Sequence, residues 1–328
     1  MGGARDMSGE PTYVILNGQL VPREQAVVSV FDYGSLYGCG LFETVRAYRG
    51  RPFRLSAHLR RLRRSAEELG WSLAVEEETV SRWVEEVLTA NRLTTGDARV
   101  RLTVTPGAGP PLADWSCGEG PPTWVVMAAP LPADFDERLA RGWRALIYPR
   151  ARGQQAATAG VKSLSYLENV LARQWARSRG ADEALFINSV GRLTEGTVSN
   201  LFVVRDGRVV TPPLSEGLLP GVTRAEVLEI APREGVAIEE RPLTPPDLQT
   251  CEEAFLTNAV VGLVPLVQVE GRTLPVGEVT QKLRAAYRED VCGQLGNHHP
   301  PPTSIQDTGC RIQDTTALPP RYRMQDTG

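Results

Sequence analysis

Two of the 36 basic side chains in this 328-residue sequence are lysines, Lys162 and Lys282, and every other one is arginine. Arginine keeps its proton in a protein, whereas a desolvated lysine can shed it and attack a carbonyl carbon. Where almost every cation is an arginine, the lysine of GVKSLSYLENVLARQ is a candidate Schiff-base residue. The plainer reading is a surface lysine.

Other stretches carry matching chemistry. Glu195, in NSVGRLTEGTVSNLF, ends a short strand among small residues, where a carboxylate can meet a buried cation or a ring N–H. Taken alone it reads equally as an exposed turn glutamate. In GLLPGVTRAEVLEIA, Gly-Val-Thr opens a helix, and the N–H groups of a helix start with a hydroxyl beside them suit a phosphate. The alternative is a simple Thr223 N-cap. TNAVVG, residues 257–262, follows a strand and offers a second, weaker phosphate-facing turn. HLRRLRR puts four arginines on one amphipathic helix. Most read as a solvated face, with one able to reach inward to a phosphate. A lysine, a carboxylate, two phosphate-facing turns and an inward arginine form a set that suits pyridoxal phosphate.

Composition removes competing classes. The net charge of −3 draws the chain to no nucleic acid, and no apolar run is long enough for a membrane span. Three histidines, His58, His298 and His299, are too few and too far apart for a hydrolase triad or a two-histidine metal centre, so no metal is expected. There is no GKS/GKT phosphate loop and no GxGxxG after a strand. Five widely spaced cysteines (Cys39, Cys117, Cys251, Cys292 and Cys310) argue against a disulfide framework and for the cytoplasm. MGGARDMSGE has no apolar core of a secretory signal.

These residues need elements to hold them. Asn17-Gly18, Arg49-Gly50 and Asp206-Gly207 mark hairpin turns between apolar runs. Leu55, Leu59, Leu62, Ala66 and Leu69 share one helical face, and residues 76–92 form a second amphipathic helix. ARVRLTVTPG alternates Val100, Leu102 and Val104 against Arg99, Arg101 and Thr103, a half-buried strand, and TWVVMAAP is a buried one. Ser165-x-x-Glu168 fits a capping box ahead of a helix whose apolar face is Leu167, Val170, Leu171 and Trp175. Strands follow at EALFIN, LTEGTVSNLFVV, RVVTP and EAFLTNAV and near 264–274, with helices at 223–231 and 276–290. The expected fold is α+β in two lobes: a disordered extension over 1–10, a small domain over 11–128, a linker over 129–135 around Pro130 and Pro132, and a large cofactor-binding domain over 136–291. The prolines and the crude repeat SIQDTGC, RIQDTT, RMQDTG make 292–328 a disordered tail.

The chain resembles the class IV (fold type IV) pyridoxal-phosphate enzymes: branched-chain and D-amino-acid aminotransferases and 4-amino-4-deoxychorismate lyases. The likeness covers about residues 12–290. It rests on FDYGSLYGCGLFETVRAYRG, HLRRL, VKSLSYLENVLAR, LTEGTVSNLF, LLPGVTR and FLTNAVVGLVPL in the family's order. The resemblance implies that Lys162 holds pyridoxal 5'-phosphate and shuttles protons, and that Glu195 pairs with the ring nitrogen. It further implies that Arg61, Val222 and Thr223 bind the phosphate with Thr257 and Asn258, and that Tyr166 faces the phenolic oxygen. Tyr37, Phe42 and Arg46 would line the substrate pocket and Arg101 would take a substrate carboxylate. It implies a homodimer acting on a small-molecule substrate. The four-residue step from Lys162 to Tyr166 is similar to the lyase and D-amino-acid branches, and SEGLLPGVTR looks most like the lyases, which often carry arginine where this chain has Pro106. The expected activity is therefore aminodeoxychorismate lyase, giving 4-aminobenzoate and pyruvate for folate synthesis. The alternative is transfer of the amine of a branched-chain or D-amino acid to a 2-oxo acid.

Overall fold

A computed structural model describes residues 12–73, 75–109, 121–153 and 158–294. The disorder expected of residues 1–10 and of most of the tail lies outside the described residues.

The first half is a sheet of six antiparallel strands. They are β1 (Tyr13–Leu16), β2 (Gln19–Pro22), β3 (Leu41–Tyr48), β4 (Arg51–Pro52), β5 (Asp97–Thr105) and β6 (Thr123–Pro130), in the order β2-β1-β6-β5-β3-β4. The expected turns form as two-residue connections with both φ positive, Asn17 at 51° with Gly18 at 82°, which matches the twist of a hairpin. Helices α1 (Tyr33–Tyr37), α2 (Leu55–Glu68) and α3 (Glu77–Ala90) complete this half. Because strand side chains alternate, β3 and β5 have two distinct faces. Leu41, Val45, Val100, Leu102 and Val104 pack against α2 and α3. Phe42, Thr44, Arg99 and Arg101 point the other way, into a cavity. The polar face of β5 therefore walls a cavity.

The second half contains α4 (Phe135–Ala140), β7 (Trp143–Ile147), α5 (Leu167–Arg177), β8 (Glu183–Ile187), β9 (Leu193–Gly196), β10 (Asn200–Arg205), β11 (Arg208–Thr211), α6 (Val222–Arg233), β12 (Ile238–Glu240), α7 (Pro245–Thr250), β13 (Glu253–Asn258), β14 (Gly262–Val269), β15 (Arg272–Thr273) and α8 (Glu278–Gln294). Its sheet runs β12-β11-β10-β13-β14-β7-β8-β9, and β9 also pairs with β10, closing six strands into a ring. Leu185, Leu201, Leu256 and Leu266 belong to one fully buried cluster of these strands. A second cluster joins Phe202 and Phe255, stacked at 4.8 Å, to α6 and α8. The mixed α and β content agrees with the expected class.

Several local expectations change. The run LTEGTVSNLFVV is two strands around a tight turn, because the buried Glu183 carboxylate gathers the Thr197 N–H and the Thr197 and Ser199 hydroxyls. The capping box at Ser165 does not form. Ser165 Oγ turns to the Gly38 carbonyl and Glu168 pairs with Arg152, so α5 starts at Leu167. The face that α5 buries is Ala172 and Ala176, while Leu167, Val170 and Leu171 are exposed. Helix α8 continues through Gln294 with Val291 buried, so residues 292–294, expected to begin the tail, are helical. Cys251 is a buried free thiol, whereas Cys292 is disulfide-bonded. An odd count and wide spacing speak against a framework of bridges, not against a single one.

Candidate active site

A cavity of about 760 Å³ lies between the two sheets, a size typical of cofactor and ligand sites. Its floor is the end of the closed ring of strands. Across β9, β10 and β13 the residues Glu195, Asn200 and Thr257 stand in register, side by side on one rim. Its roof is the polar face of β3 and β5. The segment carrying Lys162 runs between them, stitched to the start of β3: Phe42 N–H donates to the Lys162 carbonyl at 3.0 Å, and Leu164 N–H to that of Gly40 at 2.8 Å. Gly40 is needed for that approach, since a Cβ there would lie 2.4 Å from Leu164 Cδ1.

Lys162 Nζ sits 4.5 Å from the centre of the Phe42 ring. Burial, reinforced by the Arg61 and Arg101 charges, brings its pKa down to about 8, with Glu43 and Glu195 pulling the other way. A substantial neutral fraction therefore exists near physiological pH, as a nucleophile or base requires.

Glu195 is fixed by both carboxylate oxygens. Oε2 accepts from the Leu219 N–H at 3.0 Å, and Oε1 accepts from Arg152 Nη1 at 3.2 Å. Burial pushes its pKa up, opposed by Arg152, that N–H and Lys162. Arg152 also donates to Glu168 at 2.8 Å and to Asn169 at 2.6 Å. Asn169 and the Tyr166 hydroxyl each donate to the Thr197 carbonyl at 2.7 Å, so the carboxylate and the tyrosine share one network. Burial raises the Tyr166 pKa to about 12.

Arg61 reaches the cavity from α2. Its guanidinium is clamped by Glu43 at 2.8 and 2.6 Å, and Nη1 donates to the Pro220 carbonyl at 3.0 Å, just before α6. His58 Nδ1 lies 2.7 Å from the same carboxylate. Burial would raise Glu43, but Arg61 and His58 outweigh it and hold it at about 2. Burial lowers His58, against the pull of Glu43. Facing Arg61, α6 opens at Gly221 with no side chain capping it, and Val222 and Thr223 line the cavity. A Cβ on Gly221 would lie 1.9 Å from Asn200 Oδ1, so glycine is required.

The structure thus brings Lys162, Tyr166, Glu195, Arg61, Val222, Thr223, Thr257, Asn258, Phe42 and Arg101 to one cavity. The Asn258 side-chain oxygen is taken by the N–H groups of Val260 and Val261, so it shapes the turn. Two expected pocket residues stand outside the wall. Arg46 is held by Asp97 at 2.6 Å, Asp136 at 3.2 Å and the Val260 carbonyl at 3.1 Å, and braces the cavity from outside. Tyr37 lies at the end of α1 against Tyr33, with ring centres 5.6 Å apart. Sequence reasoning missed Glu43, Arg152, Asn169 and Arg99 as residues of this site. Glu43 had a usable signal, a carboxylate on the inward parity of an apolar strand.

The donor set fits a phosphorylated cofactor with a carbonyl group. Thr257 Oγ1 is fully buried on the cavity side of β13 and has no hydrogen-bond partner, an expense that a bound acceptor removes. With it come a guanidinium, an uncapped helix start, and a lysine and a carboxylate further along.

Comparison with known proteins agrees with this chemistry. Residues 40–269 match the family model for amino-transferase class IV. The "Putative branched-chain-amino-acid aminotransferase" of Methanocaldococcus jannaschii is 39% identical over 84% of this chain and 95% of its own length. The aminodeoxychorismate lyase of Bacillus subtilis is 29% identical over 85% and 94%. The branched-chain aminotransferase of Thermoproteus uzoniensis, solved with norvaline, superposes with a TM-score of 0.79 at 32% identity over 88% of this chain and 96% of that one.

Proposed function

The chain belongs to the class IV aminotransferases and is a pyridoxal-phosphate enzyme, and from that premise we propose that it moves the amino group of an amino acid to a 2-oxo acid. The observation that carries the reading is Lys162, a lysine with a pKa of about 8 in one cavity with Glu195 and a phosphate-type donor set. The higher identity to the Methanocaldococcus protein than to the Bacillus lyase supports amino transfer over pyruvate elimination, and reverses the order expected from the motifs.

Arg61, the first turn of α6 and the Thr257 hydroxyl would hold the phosphate, and Glu195 would meet the ring nitrogen. When bound, pyridoxal phosphate supplies an aldehyde for the substrate amine and a ring that draws electrons from the bond being broken. Lys162 would attach the cofactor through its amine and, when released and neutral, would be the base that moves a proton at the substrate Cα. The Phe42 ring lies 4.5 Å from its nitrogen and covers one side of it. Tyr166 stays protonated at working pH and donates a hydrogen bond. The same reading carries a cytoplasmic homodimer, for which the uncovered Leu167, Val170 and Leu171 of α5 offer an apolar contact. Among the described residues no helix is long and apolar enough to cross a membrane.

The second reading, the lyase, is favoured by the Lys162-to-Tyr166 spacing and by Arg99 and Arg101 on the cavity wall, which suit a substrate with more than one carboxylate. Cofactor-loaded protein offered L- and D-amino acids with 2-oxoglutarate is expected to form the matching 2-oxo acids. Equal amounts of 4-aminobenzoate and pyruvate from aminodeoxychorismate, with no amino transfer, would overturn the first reading for the second.

A further inference from the structure

Helix α8 buries Leu283, Ala286, Tyr287 and Val291, the spacing of a helix that packs along one side. The Tyr287 ring fits that role. It is 3% exposed, belongs to the cluster of Phe202 and Phe255, and meets the Phe53 ring edge-on with centres 5.7 Å apart. Its hydroxyl does not fit. The oxygen is buried and has no hydrogen-bond partner among the described residues. A buried polar group left unpaired is destabilising, and phenylalanine would fill the same space without it. Burial pushes the Tyr287 pKa well above the ordinary tyrosine range, so the proton stays on and is available to donate. The Thr223 hydroxyl stands next to it, close enough to pull that pKa partly back, although no bond of ordinary geometry joins the two. Thr223 belongs to the first turn of α6, is itself buried, and lines the cavity, whereas Tyr287 is not part of the wall. The threonine therefore stands between the cavity and the tyrosine.

We propose that Tyr287 is a positioning residue of the cofactor site: its hydroxyl donates to Thr223 and holds that side chain with its own proton turned toward the bound phosphate. The proposal rests on the reading that the first turn of α6 takes the phosphate. A threonine hydroxyl has one proton and two lone pairs. A phosphate offers strong acceptor oxygens, so it draws the Thr223 proton and leaves the Thr223 lone pairs to the Tyr287 proton. Both hydroxyls are then satisfied by one ligand, and hydrogen bonds in such a chain polarise and strengthen one another. The reverse arrangement, with Thr223 donating to Tyr287, would turn the one threonine proton away from the phosphate. A phenol is also the more acidic of the two hydroxyls and the better donor. In this way α8, which contributes nothing to the cavity wall near Thr223, bears on how firmly that end of the cavity grips an anion.

The test measures binding of pyridoxal 5'-phosphate, and of pyridoxal, which lacks the phosphate, to the full-length protein by equilibrium dialysis. The phosphorus NMR resonance of the bound cofactor is a second readout. Tyr287→Phe should lower the preference for the phosphorylated form about five- to tenfold and shift that resonance, with pyridoxal bound as before. Thr223→Val should lower the preference about tenfold or more, and adding Tyr287→Phe to it should change little further, because the two hydroxyls act as one chain. Phenylalanine keeps the ring packing, so the variant should fold, with thermal unfolding of the cofactor-free protein no lower than the parent's as the check. An unchanged preference in Tyr287→Phe, an equal loss for both ligands, or losses that add in the double variant overturn the proposal. If Thr223→Val removes the preference and Tyr287→Phe does not, the phosphate reading of α6 stands and Tyr287 alone falls. If Thr223→Val leaves the preference intact, that reading falls and takes Tyr287 with it. None of these readouts depends on whether the enzyme transfers an amine or releases pyruvate.

Discussion

Lys162 differs from an ordinary lysine by its surroundings, and those surroundings can be titrated. Its pKa falls from 10.5 to about 8 because burial and two arginine charges disfavour the ammonium form. Uptake of pyridoxal phosphate by the apoprotein should therefore rise about tenfold per pH unit up to near pH 8 and then level off. A rise that continues past pH 10 would show an unperturbed lysine. Lys162→Ala should lose the visible absorbance of the attached cofactor entirely, and a full-intensity band in that variant would remove the residue from its role. Arg152→Ala leaves burial less opposed at Glu195, which favours the protonated acid. Cofactor affinity by equilibrium dialysis should drop roughly tenfold, with partial recovery in Arg152→Lys. Lys162 and Glu195 were legible because residue type carries their chemistry. Arg152 was not, because its importance comes from standing 3.2 Å from Glu195, a neighbour 43 positions away.

At the scale of elements, α2 and β3 are joined by the Glu43, His58 and Arg61 cluster. The periodicity of α2 was plain in the sequence, but a period shows which face is buried and not which polar groups that face contains. Glu43 has a folded pKa of about 2 against an ordinary 4.5. A depressed carboxylate contributes stability that is complete above the unfolded value. Its contribution therefore starts to fade below about pH 4.5 and is gone as the pH falls through about 2. The shift corresponds to about 3 kcal/mol. Glu43→Gln should lower stability at pH 7 by about 3 kcal/mol in urea unfolding, because it leaves Arg61 buried without its counter-charge. The same variant should narrow the gap between pH 7 and pH 3; an undiminished acid dependence would assign the effect to other carboxylates. The hairpins at Asn17-Gly18 and Asp206-Gly207 and the helices of the first half were readable from local rules. The closure of β9 onto β10 was not, since no local pattern encodes which distant strands meet.

For the whole molecule, the apolar stripe of α5 is the clearest mismatch between pattern and single chain. Leu167 is 70% exposed and Val170 and Leu171 are each 45% exposed, though their spacing is that of a buried face. The chain should elute at twice its 35.8 kDa mass, and Leu167→Glu with Leu171→Glu should shift it toward the monomer. A monomeric parent protein would leave that stripe without the role assigned to it. The lysine segment is sewn to β3 by hydrogen bonds at Phe42 and Leu164, so residues from both halves of the chain must meet before the roof closes over the floor. A gene divided between Pro130 and Phe135 would yield two fragments, one bearing Arg61 and the other Lys162. Colour from captured cofactor would then report their reassociation, and the protein would serve as its own complementation sensor.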